Sequence, residues 1–312
     1  MSKAPYEHYA HDHVILMLDT PEFENLPTWL TDNFNIIEGG THAGGSTRNK
    51  LIIFADGTYI ELLNWIAKPV EFFDWAGKAP GLIDFALTST QSAHEVFDAV
   101  MKRLESSSSS SSFGDGGLGV RFKDPLNGGR KRKDGKQVEW YVTKPRFDSD
   151  DDGAPNVPRP QESYFPMGRL DTPFFCHDVT DRALRVPYLE PGIADHPSGA
   201  KGILSVEVVV PQNKLESYAK LYASATGSEP EAAKNDATTA VRLRLASPDP
   251  EALKEVQDRV GIDLRMPADE ADEQWIRERG VGIRALKIYV PGLSKDRPLD
   301  GTGIGSSVVL VS

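Results

Sequence analysis

Four ionisable side chains interrupt short apolar stretches of this sequence and could carry chemistry. His13 begins the run HVILML, Glu61 follows the pair YI, Asp84 lies within LIDFAL, and His177 follows FFC. Burying an imidazole or a carboxylate without a partner is costly, because the group must shift its pKa or find a counter-charge. Their recurrence in one chain therefore indicates that these groups meet one another or bind a cation.

Two imidazoles with one or two carboxylates form a ligand set that suits Zn²⁺, Fe²⁺, Mn²⁺ or Ni²⁺. A site with three protein ligands leaves positions open for water and a substrate. The only cysteine, Cys176, excludes an internal disulfide and a thiolate cluster, and it lies in an apolar stretch where thiols are usually inert. A single cysteine fits a reducing compartment, so we expect a cytoplasmic protein.

The elements that would position these groups follow the order βαβββ twice. The first round predicts strands at residues 13–18, 35–38, 51–54 and 58–65, with one helix that begins at Thr20 and Pro21 and runs to about residue 34. The second predicts strands at 82–87, 119–122, 138–143 and 174–177, with a helix that begins at a capping box of Ser92 and Glu95. Alternation along a strand places Glu61 on the face of Tyr59, and His177 on the face opposite Cys176.

A third and looser round occupies residues 196–312, after a stretch rich in proline and glycine. Ser205 stands where its first ligand would be expected, so this round is interpreted as a degenerate copy that holds no metal. The domain prediction is therefore 1–185 and 196–312. A serine tract near 106–118 and an acidic, proline-rich tract near 148–162 are expected to be flexible insertions.

Composition narrows the class of partner. The chain has 312 residues and a net charge of −11, with 35 basic and 46 acidic side chains. Such a surface repels phosphate backbones and anionic lipids, so we expect neither nucleic acid nor a membrane as partner. No stretch approaches the roughly 20 apolar residues that cross a bilayer. We expect a small-molecule substrate, and the sequence leaves a homodimer open.

Several of these residues lie in runs that resemble a known family. HVIL from His13, GGTH ending at His42, NKLIIF from Asn49 and DGTYIEL around Glu61 resemble the glyoxalase-like domain of the vicinal oxygen chelate superfamily, over roughly residues 10–180. The resemblance implies an α+β fold whose paired βαβββ modules form an open curved sheet, here with a C-terminal α+β extension resembling a degenerate third module.

The resemblance also implies the metal ligands. His13 and Glu61 would come from the first module and His177 from the second, with Asp84 as a further candidate. Superfamily members more often have His or Glu at the second-module places, which leaves Asp84 as either a ligand or an outer hydrogen-bond acceptor. In a glyoxalase-type reaction Glu61 would also act as the catalytic base.

Each of these residues also has a purely structural interpretation. His13, like His11 two residues earlier on the same predicted face, could be an ordinary strand-edge histidine. Glu61 could form a buried ion pair with Arg48. Asp178 beside His177 could simply hydrogen-bond at the entry to a loop.

A glycine-rich loop and the strand after it supply candidate substrate contacts that could hydrogen-bond a carboxylate or carbonyl oxygen. These candidates are His42, Thr47, Arg48 and Asn49. The alternative for this segment is a plain turn.

Two further features concern the second round. Trp140 and Tyr141 are consecutive, so only one of them faces the concave side of a strand, and Trp140 is the candidate substrate contact. The basic run at 130–133 is expected to be a solvated hairpin tip.

The sequence thus predicts a metal-dependent enzyme that acts on a small oxygenated metabolite through two chelating oxygens. A lyase or isomerase is favoured over a dioxygenase, although the fold alone does not choose among them. The alternative is a metal-free protein that binds or sequesters small molecules in the same cavity, which the aromatic side chains of Phe72, Phe73, Trp75 and Trp140 would also suit.

Overall fold

The computed structural model describes residues 9–42, 45–67, 75, 77–106, 117–132, 135–147, 172–232, 240–301 and 304–312. Both predicted insertions lie almost entirely outside these residues, as do Phe72 and Phe73. Within the described part of the chain, no helix is long and apolar enough to cross a membrane.

Strands dominate the first half of the chain. They are β1 Tyr9–Met17, β2 Ile37–Thr41, β3 Thr47–Ile53, β4 Tyr59–Trp65, β5 Gly81–Ser89, β6 Val120–Phe122, β7 Leu126–Lys131, β8 Gln137–Thr143, β9 Pro145–Phe147 and β10 Phe174–Asp178. Eight of them form one sheet in the order β2-β3-β4-β1-β5-β10-β8-β7, while β6 pairs with β9 separately. The predicted strand at 119–122 is therefore not part of the large sheet.

Short helices accompany these strands: α1 Thr20–Glu24, α2 Thr28–Thr31, α3 Ala93–Ser106 and α4 Arg182–Arg185. The single helix predicted after the first strand is wrong, because the chain breaks it into α1 and α2 at Pro27, whose fixed φ and missing N–H fit the start of a helix rather than its interior. The apolar side chains of Phe23, Leu30 and Phe34 in this segment are nevertheless buried. Ser92 and Glu95 form the predicted capping box on α3, with the Ser92 N–H donating to Glu95 at 2.9 Å.

The central strand β1 contains a bulge that decides which side chains face the site. The pairing with β5 shifts between His11 and His13, so Asp12 is the extra residue. His11 therefore points to the second half of the molecule, where its Nε2 lies 2.9 Å from the Gly261 carbonyl oxygen. The expectation that His11 and His13 share a face is wrong for this reason.

The second half of the chain forms another sheet from β11 Gly202–Val209, β12 Glu231–Ala232, β13 Ala240–Arg244, β14 Gly261–Arg265, β15 Gly282–Tyr289, β16 Arg297–Leu299 and β17 Ser307–Val311. The order is β12-β13-β14-β11-β15-β17-β16. Two helices, α5 Leu215–Thr226 and α6 Glu270–Arg279, complete it.

The second sheet repeats the pairing of the first. Strands β11 and β14 are parallel neighbours with Ser205 opposite Gly261, just as β1 and β4 are parallel with His13 opposite Tyr59. The predicted α+β fold with a degenerate third module is thus confirmed, and β15 to β17 add the strands of a further, shorter copy.

The two sheets share one apolar core that includes side chains of α3 and α5. Asp56, at the turn between β3 and β4, is buried where the halves meet, and it accepts hydrogen bonds from Thr58 and Ser247. Gly202 is required beside it, since a Cβ there would lie 2.4 Å from the Asp56 carboxyl group. The division into residues 1–185 and 196–312 stays a prediction, and the core is continuous across it.

Candidate functional site

The concave face of the first sheet encloses a cavity of about 270 Å³. Strands β1 to β4 supply one wall and β7, β8 and β10 supply the other. Six of the predicted site residues line it, namely His13, His42, Thr47, Asn49, Glu61 and Trp140. This volume lies just below the range of about 300–1,000 Å³ that is common for small-molecule pockets, so the cavity suits a compact metabolite.

At the floor, His13 is held from behind by Asp12. Its Nδ1 lies 2.5 Å from an Asp12 carboxylate oxygen, and its ring stacks on Tyr59 with the centroids 4.6 Å apart. With Nδ1 donating to Asp12, Nε2 is directed into the cavity, where it lies 3.8 Å from Glu61 Oε2. The bulge at Asp12 creates this arrangement, because it places consecutive side chains on one face of β1.

Glu61 is the carboxylate of the site and is 5% exposed. Its Oε1 accepts a hydrogen bond from the Asn49 amide at 2.5 Å and lies 3.3 Å from Nε2 of His42. Burial alone would raise the pKa of Glu61, but the hydrogen bond and charge of His42, the charge of His13 and the hydrogen bond from Asn49 outweigh it and lower the pKa to about 2. Glu61 is therefore ionised in the free cavity.

His42 covers this carboxylate from the rim. Its Nδ1 lies 2.7 Å from the Thr47 hydroxyl, and its side chain is 39% exposed. Burial lowers the pKa of His42, yet the hydrogen bond and negative charge of Glu61 more than compensate, so the net shift is upward. His42 is thus a titratable group of the site that is partly open to solvent.

The walls combine aromatic rings with cations. The Trp140 ring approaches β7 closely because Gly128 has no side chain there; a Cβ at that position would be 2.7 Å from the indole nitrogen. Phe174 meets the edge of His13 at 5.4 Å, and the Lys144 ammonium lies 4.9 Å from the centre of the Trp75 ring. Arg130 also lines the cavity. The interior is therefore suited to a flat ligand with at least one polar end.

A buried ion cluster supports the floor. Asp12 is fully buried and accepts hydrogen bonds from Arg182 and Arg185, and Asp178 pairs with the same two arginines. Arg185 also donates to the Tyr59 hydroxyl at 3.0 Å. Despite complete burial, the two arginines hold the pKa of Asp12 well below its usual value. The short helix α4 thereby fixes both His13 and Tyr59.

Three predicted site residues do not line the cavity. His177 lies on the face of β10 that packs toward α3, with its ring 5.8 Å from Phe175, whereas Phe174 and Cys176 point into the cavity. As alternation predicts, His177 and Cys176 lie on opposite faces of β10. The prediction that the His177 face lines the cavity is wrong, because the Cys176 face does so. Among the described residues, neither ring nitrogen of His177 has a hydrogen-bond partner, and burial lowers its pKa to about 4.

Asp84 accepts hydrogen bonds from the Trp75 indole at 2.7 Å and from the Phe85 backbone N–H at 2.9 Å. It therefore acts as a hydrogen-bond acceptor that positions a wall residue. Arg48 points to the other face of β3, where it lies over Phe23 and pairs with Glu24. Neither the substrate contact nor the ion pair with Glu61 that the sequence allowed for Arg48 is found.

The residues present do not fit the predicted metal site of His13, Glu61 and His177, with Asp84 as a further candidate. The first module brings His13 and Glu61 together as predicted, but the second module directs neither Asp84 nor His177 to them. Within the described residues, no group of three or more His, Cys, Asp or Glu side chains is arranged to hold a metal ion. Metal binding through these four residues stays a prediction that this geometry does not support.

The lining residues that sequence reasoning missed include Arg130, Lys144, Phe174 and Cys176. Lys144 could have been found, because it follows Trp140 and Val142 in strict alternation. Arg130 was assigned to a solvated hairpin tip on the strength of its basic neighbours, and it is instead directed inward. Burial raises the pKa of the Cys176 thiol, in keeping with the inert thiol that was expected.

Comparisons with known proteins agree with this architecture. The glyoxalase-like domain family, Glyoxalase_3, matches residues 11–226. The chain therefore belongs to this family, and with it to the vicinal oxygen chelate superfamily. Comparison with curated proteins finds no match.

Among solved structures, a hypothetical protein from Staphylococcus aureus is similar over 97% of this chain and 99% of its own, with 15% identity and a TM-score of 0.62. This likeness shows that the two-sheet fold is shared over nearly the whole chain. A variant of 4-hydroxymandelate synthase from Streptomyces coelicolor is less similar, with 12% identity over 91% of this chain and 71% of its own and a TM-score of 0.49.

Proposed function

We propose that the cavity of the first sheet binds a compact, oxygen-bearing organic molecule and orients one of its hydroxyl or carbonyl groups at His13 and Glu61. One observation carries this proposal. His13 Nε2 and Glu61 Oε2 face each other across 3.8 Å at the bottom of a cavity walled by aromatic rings. When the His13 ring is neutral and its Nδ1 donates to Asp12, Nε2 and the Glu61 oxygen are both hydrogen-bond acceptors, and a donor between them would satisfy both.

A ligand hydroxyl is one donor that would satisfy both atoms. The aromatic walls would exclude water from the body of the ligand, and Asn49 and Thr47 would keep Glu61 and His42 in place. In this form the protein is a metal-free binder or an enzyme that relies on proton transfer. A carboxylate with a pKa of about 2 is a weak base, so the catalytic role predicted for Glu61 would require His42 to move away from it.

A metal-dependent lyase or isomerase is the second candidate, and the same 3.8 Å gap is the observation in its favour. A divalent cation would also satisfy an imidazole nitrogen and a carboxylate that face each other. His42 is the only other titratable side chain that the described residues bring within 4 Å of Glu61 by an ion-pair contact. The ligand set would then come from the first module alone.

Ligand-observed NMR with a library of small oxygenated compounds tests the binding proposal. Binders of the wild-type chain should lose their signals with Thr47→Trp, which fills the cavity, and keep them with Asp98→Trp on the exposed face of α3. Binding that survives Thr47→Trp would place the ligand elsewhere and refute the proposal.

Calorimetric titration with Zn²⁺, Mn²⁺, Ni²⁺ and Fe²⁺ separates the two candidates. A metal-dependent enzyme should bind one of these ions with a stoichiometry near one, and Glu61→Gln should weaken that binding at least tenfold. If adding these ions produced no heat of binding and no change in melting temperature for the wild type or for Glu61→Gln, the metal-free binder would be the remaining candidate.

A further inference from the structure

Arg130 lies where the two free edges of the first sheet approach each other. It belongs to β7, the last strand of the sheet order, yet its guanidinium donates to the carbonyl oxygen of Gly39 on β2, the strand at the opposite end, at 3.2 Å. A second hydrogen bond reaches the Arg185 carbonyl oxygen at 3.4 Å. The sheet thus curls until Arg130 bridges its two edge strands, β2 and β7, and we call the gap between them the seam. The same side chain lines the cavity.

Within the described part of the chain, the charge of Arg130 has no partner in an ion pair, although the Glu61 carboxylate in the same cavity attracts it. Among the described residues, no carboxylate lies within ion-pair distance of it, although Arg182 and Arg185 pair with Asp12 and Asp178 and Arg132 pairs with Glu190. Arg130 is half-buried, and burial lowers its pKa. Desolvating a guanidinium without a counter-charge is unfavourable unless something else compensates for it.

The hydrogen-bonding capacity of Arg130 is also only partly used. A guanidinium has five N–H donors in a planar fork, and here two contacts of more than 3 Å to neutral carbonyl oxygens are made. The fork matches the two oxygens of a carboxylate. Lys144 adds a second cation to the same cavity. The net charge of −11 would not attract an anion from a distance, so these local cations indicate a specific requirement.

We propose that Arg130 binds the carboxylate of the ligand, so that the cavity takes a small organic acid with a flat body. The inference rests on the proposed function and adds the chemical class of the ligand. The carboxylate lies at the seam, the flat body lies between Trp140 and Phe174, and an oxygen substituent at the other end reaches His13 and Glu61. Arg130 therefore both closes the seam and selects an anion.

Benzoate and benzamide test this proposal because they share size and shape and differ in charge. Their dissociation constants should be measured by calorimetry for the wild type, Arg130→Gln, Arg130→Lys and the control Arg132→Gln. The control removes the same charge two residues along the chain, from a side chain that does not line the cavity. Melting temperatures of all four chains establish that each is folded.

We expect benzoate to bind the wild type at least tenfold more tightly than benzamide. Arg130→Gln should weaken benzoate at least tenfold and leave benzamide within twofold, Arg130→Lys should keep part of the preference, and Arg132→Gln should change neither. Equal binding of the two probes to the wild type, or an equal loss of both in Arg130→Gln, would overturn this proposal alone and leave the seam contact as the role of Arg130. Failure of both probes to bind the wild type would overturn this proposal and the proposed function together.

Discussion

The two sheets of this molecule have the same register but treat their central acidic residue differently. Glu61 lies opposite Ile15 on β1, and Asp263 lies opposite Glu207 on β11, so the two carboxylates occupy corresponding places. In the second sheet Arg242 donates two hydrogen bonds, of 2.7 and 2.8 Å, to the Asp263 carboxylate. In the first sheet the residue that corresponds to Arg242 is Leu51.

The same contrast recurs at other positions. Ala86 in the first sheet corresponds to Lys287 in the second, which lies 3.5 Å from Glu207. His13 corresponds to Ser205, as the sequence predicted. In the second sheet Asp263 pairs with Arg242 and Glu207 with Lys287, whereas the corresponding positions beside Glu61 in the first sheet carry the uncharged side chains of Leu51 and Ala86. Glu61 is contacted instead by His13, His42 and Asn49, and it faces the cavity. The same fold thus carries a candidate site in one sheet and ion pairs at the corresponding place in the other.

The largest expected effect tests the difference at the bulge, where Asp12 corresponds to Leu204. Asp12→Leu copies the second sheet into the first and leaves Arg182 and Arg185 with only Asp178. We expect a loss of about 3–5 kcal/mol in the free energy of unfolding, because it breaks a buried ion pair. Urea unfolding should show a smaller loss for Asp12→Asn and almost none for Asp98→Leu on the exposed face of α3. A loss below 1 kcal/mol for Asp12→Leu would contradict the role given to the cluster.

The junction between the sheets should respond to pH through Asp56. Burial raises its folded-state pKa to about 6, despite hydrogen bonds from Thr58 and Ser247. The folded protein therefore binds the proton more tightly than the unfolded chain, and stability falls as the pH rises from about 4 to about 6. Asp56→Asn removes this loss, so the variant should be more stable than the wild type by about 2–3 kcal/mol above pH 6.

The gain from Asp56→Asn should vanish below pH 4, where the wild-type carboxyl is protonated in both states. Thermal unfolding at pH 3.5, 5 and 7.5 measures this. If Asp56→Asn raised the stability equally at all three pH values, the shape of the Asp56 side chain, and not its charge, would be what destabilises the junction.

Replacing one residue should give the first sheet the ion pair that the second sheet has between Arg242 and Asp263. Leu51→Arg places a guanidinium where Arg242 stands, and we expect it to pair with Glu61 and fill the cavity. Binding of any ligand found by NMR should weaken at least tenfold, which is about 1.4 kcal/mol, with little change in stability. The reciprocal change, Arg242→Leu, should leave ligand binding unchanged. Equal losses of ligand binding in Leu51→Arg and Arg242→Leu would contradict the difference between the two sheets.

The smallest effect concerns His177, which lies outside the cavity. Burial lowers its pKa to about 4, so the unfolded chain binds the proton more tightly and stability is lost as the pH falls below about 6.5. His177→Phe should reduce the loss between about pH 7.5 and about pH 5.8 by about 1 kcal/mol and leave ligand and metal binding intact. Loss of metal binding in this variant would restore His177 as a ligand.

In the first module the sequence predicted that His13 and Glu61 meet, because both are polar interruptions of apolar strands in one βαβββ round. It did not predict the break between α1 and α2, the bulge at Asp12 or the outward face of Arg48. The second module offered no such guide, because Phe174, Phe175 and Cys176 are apolar on both faces of β10. Alternation told which side chains share a face but not which face meets the cavity.

Three other features depend on contacts that no local pattern contains. Asp84 was open between a ligand and an outer acceptor, and the choice depends on Trp75, which comes from the connection between β4 and β5. Arg130 reaches the cavity because the sheet curls until β7 meets β2, a long-range closure that a basic hairpin does not indicate. The bulge at Asp12 likewise appears only in the pairing with β5.

That bulge makes the length of the first strand critical. His11 is committed to the Gly261 carbonyl oxygen on one side and His13 to the cavity on the other, with a single extra residue between them. Deleting or adding one residue there would exchange the environments of the two imidazoles. Homologous chains should therefore vary freely in the type of several residues of this strand while never changing their number, and insertions should accumulate in the connections instead.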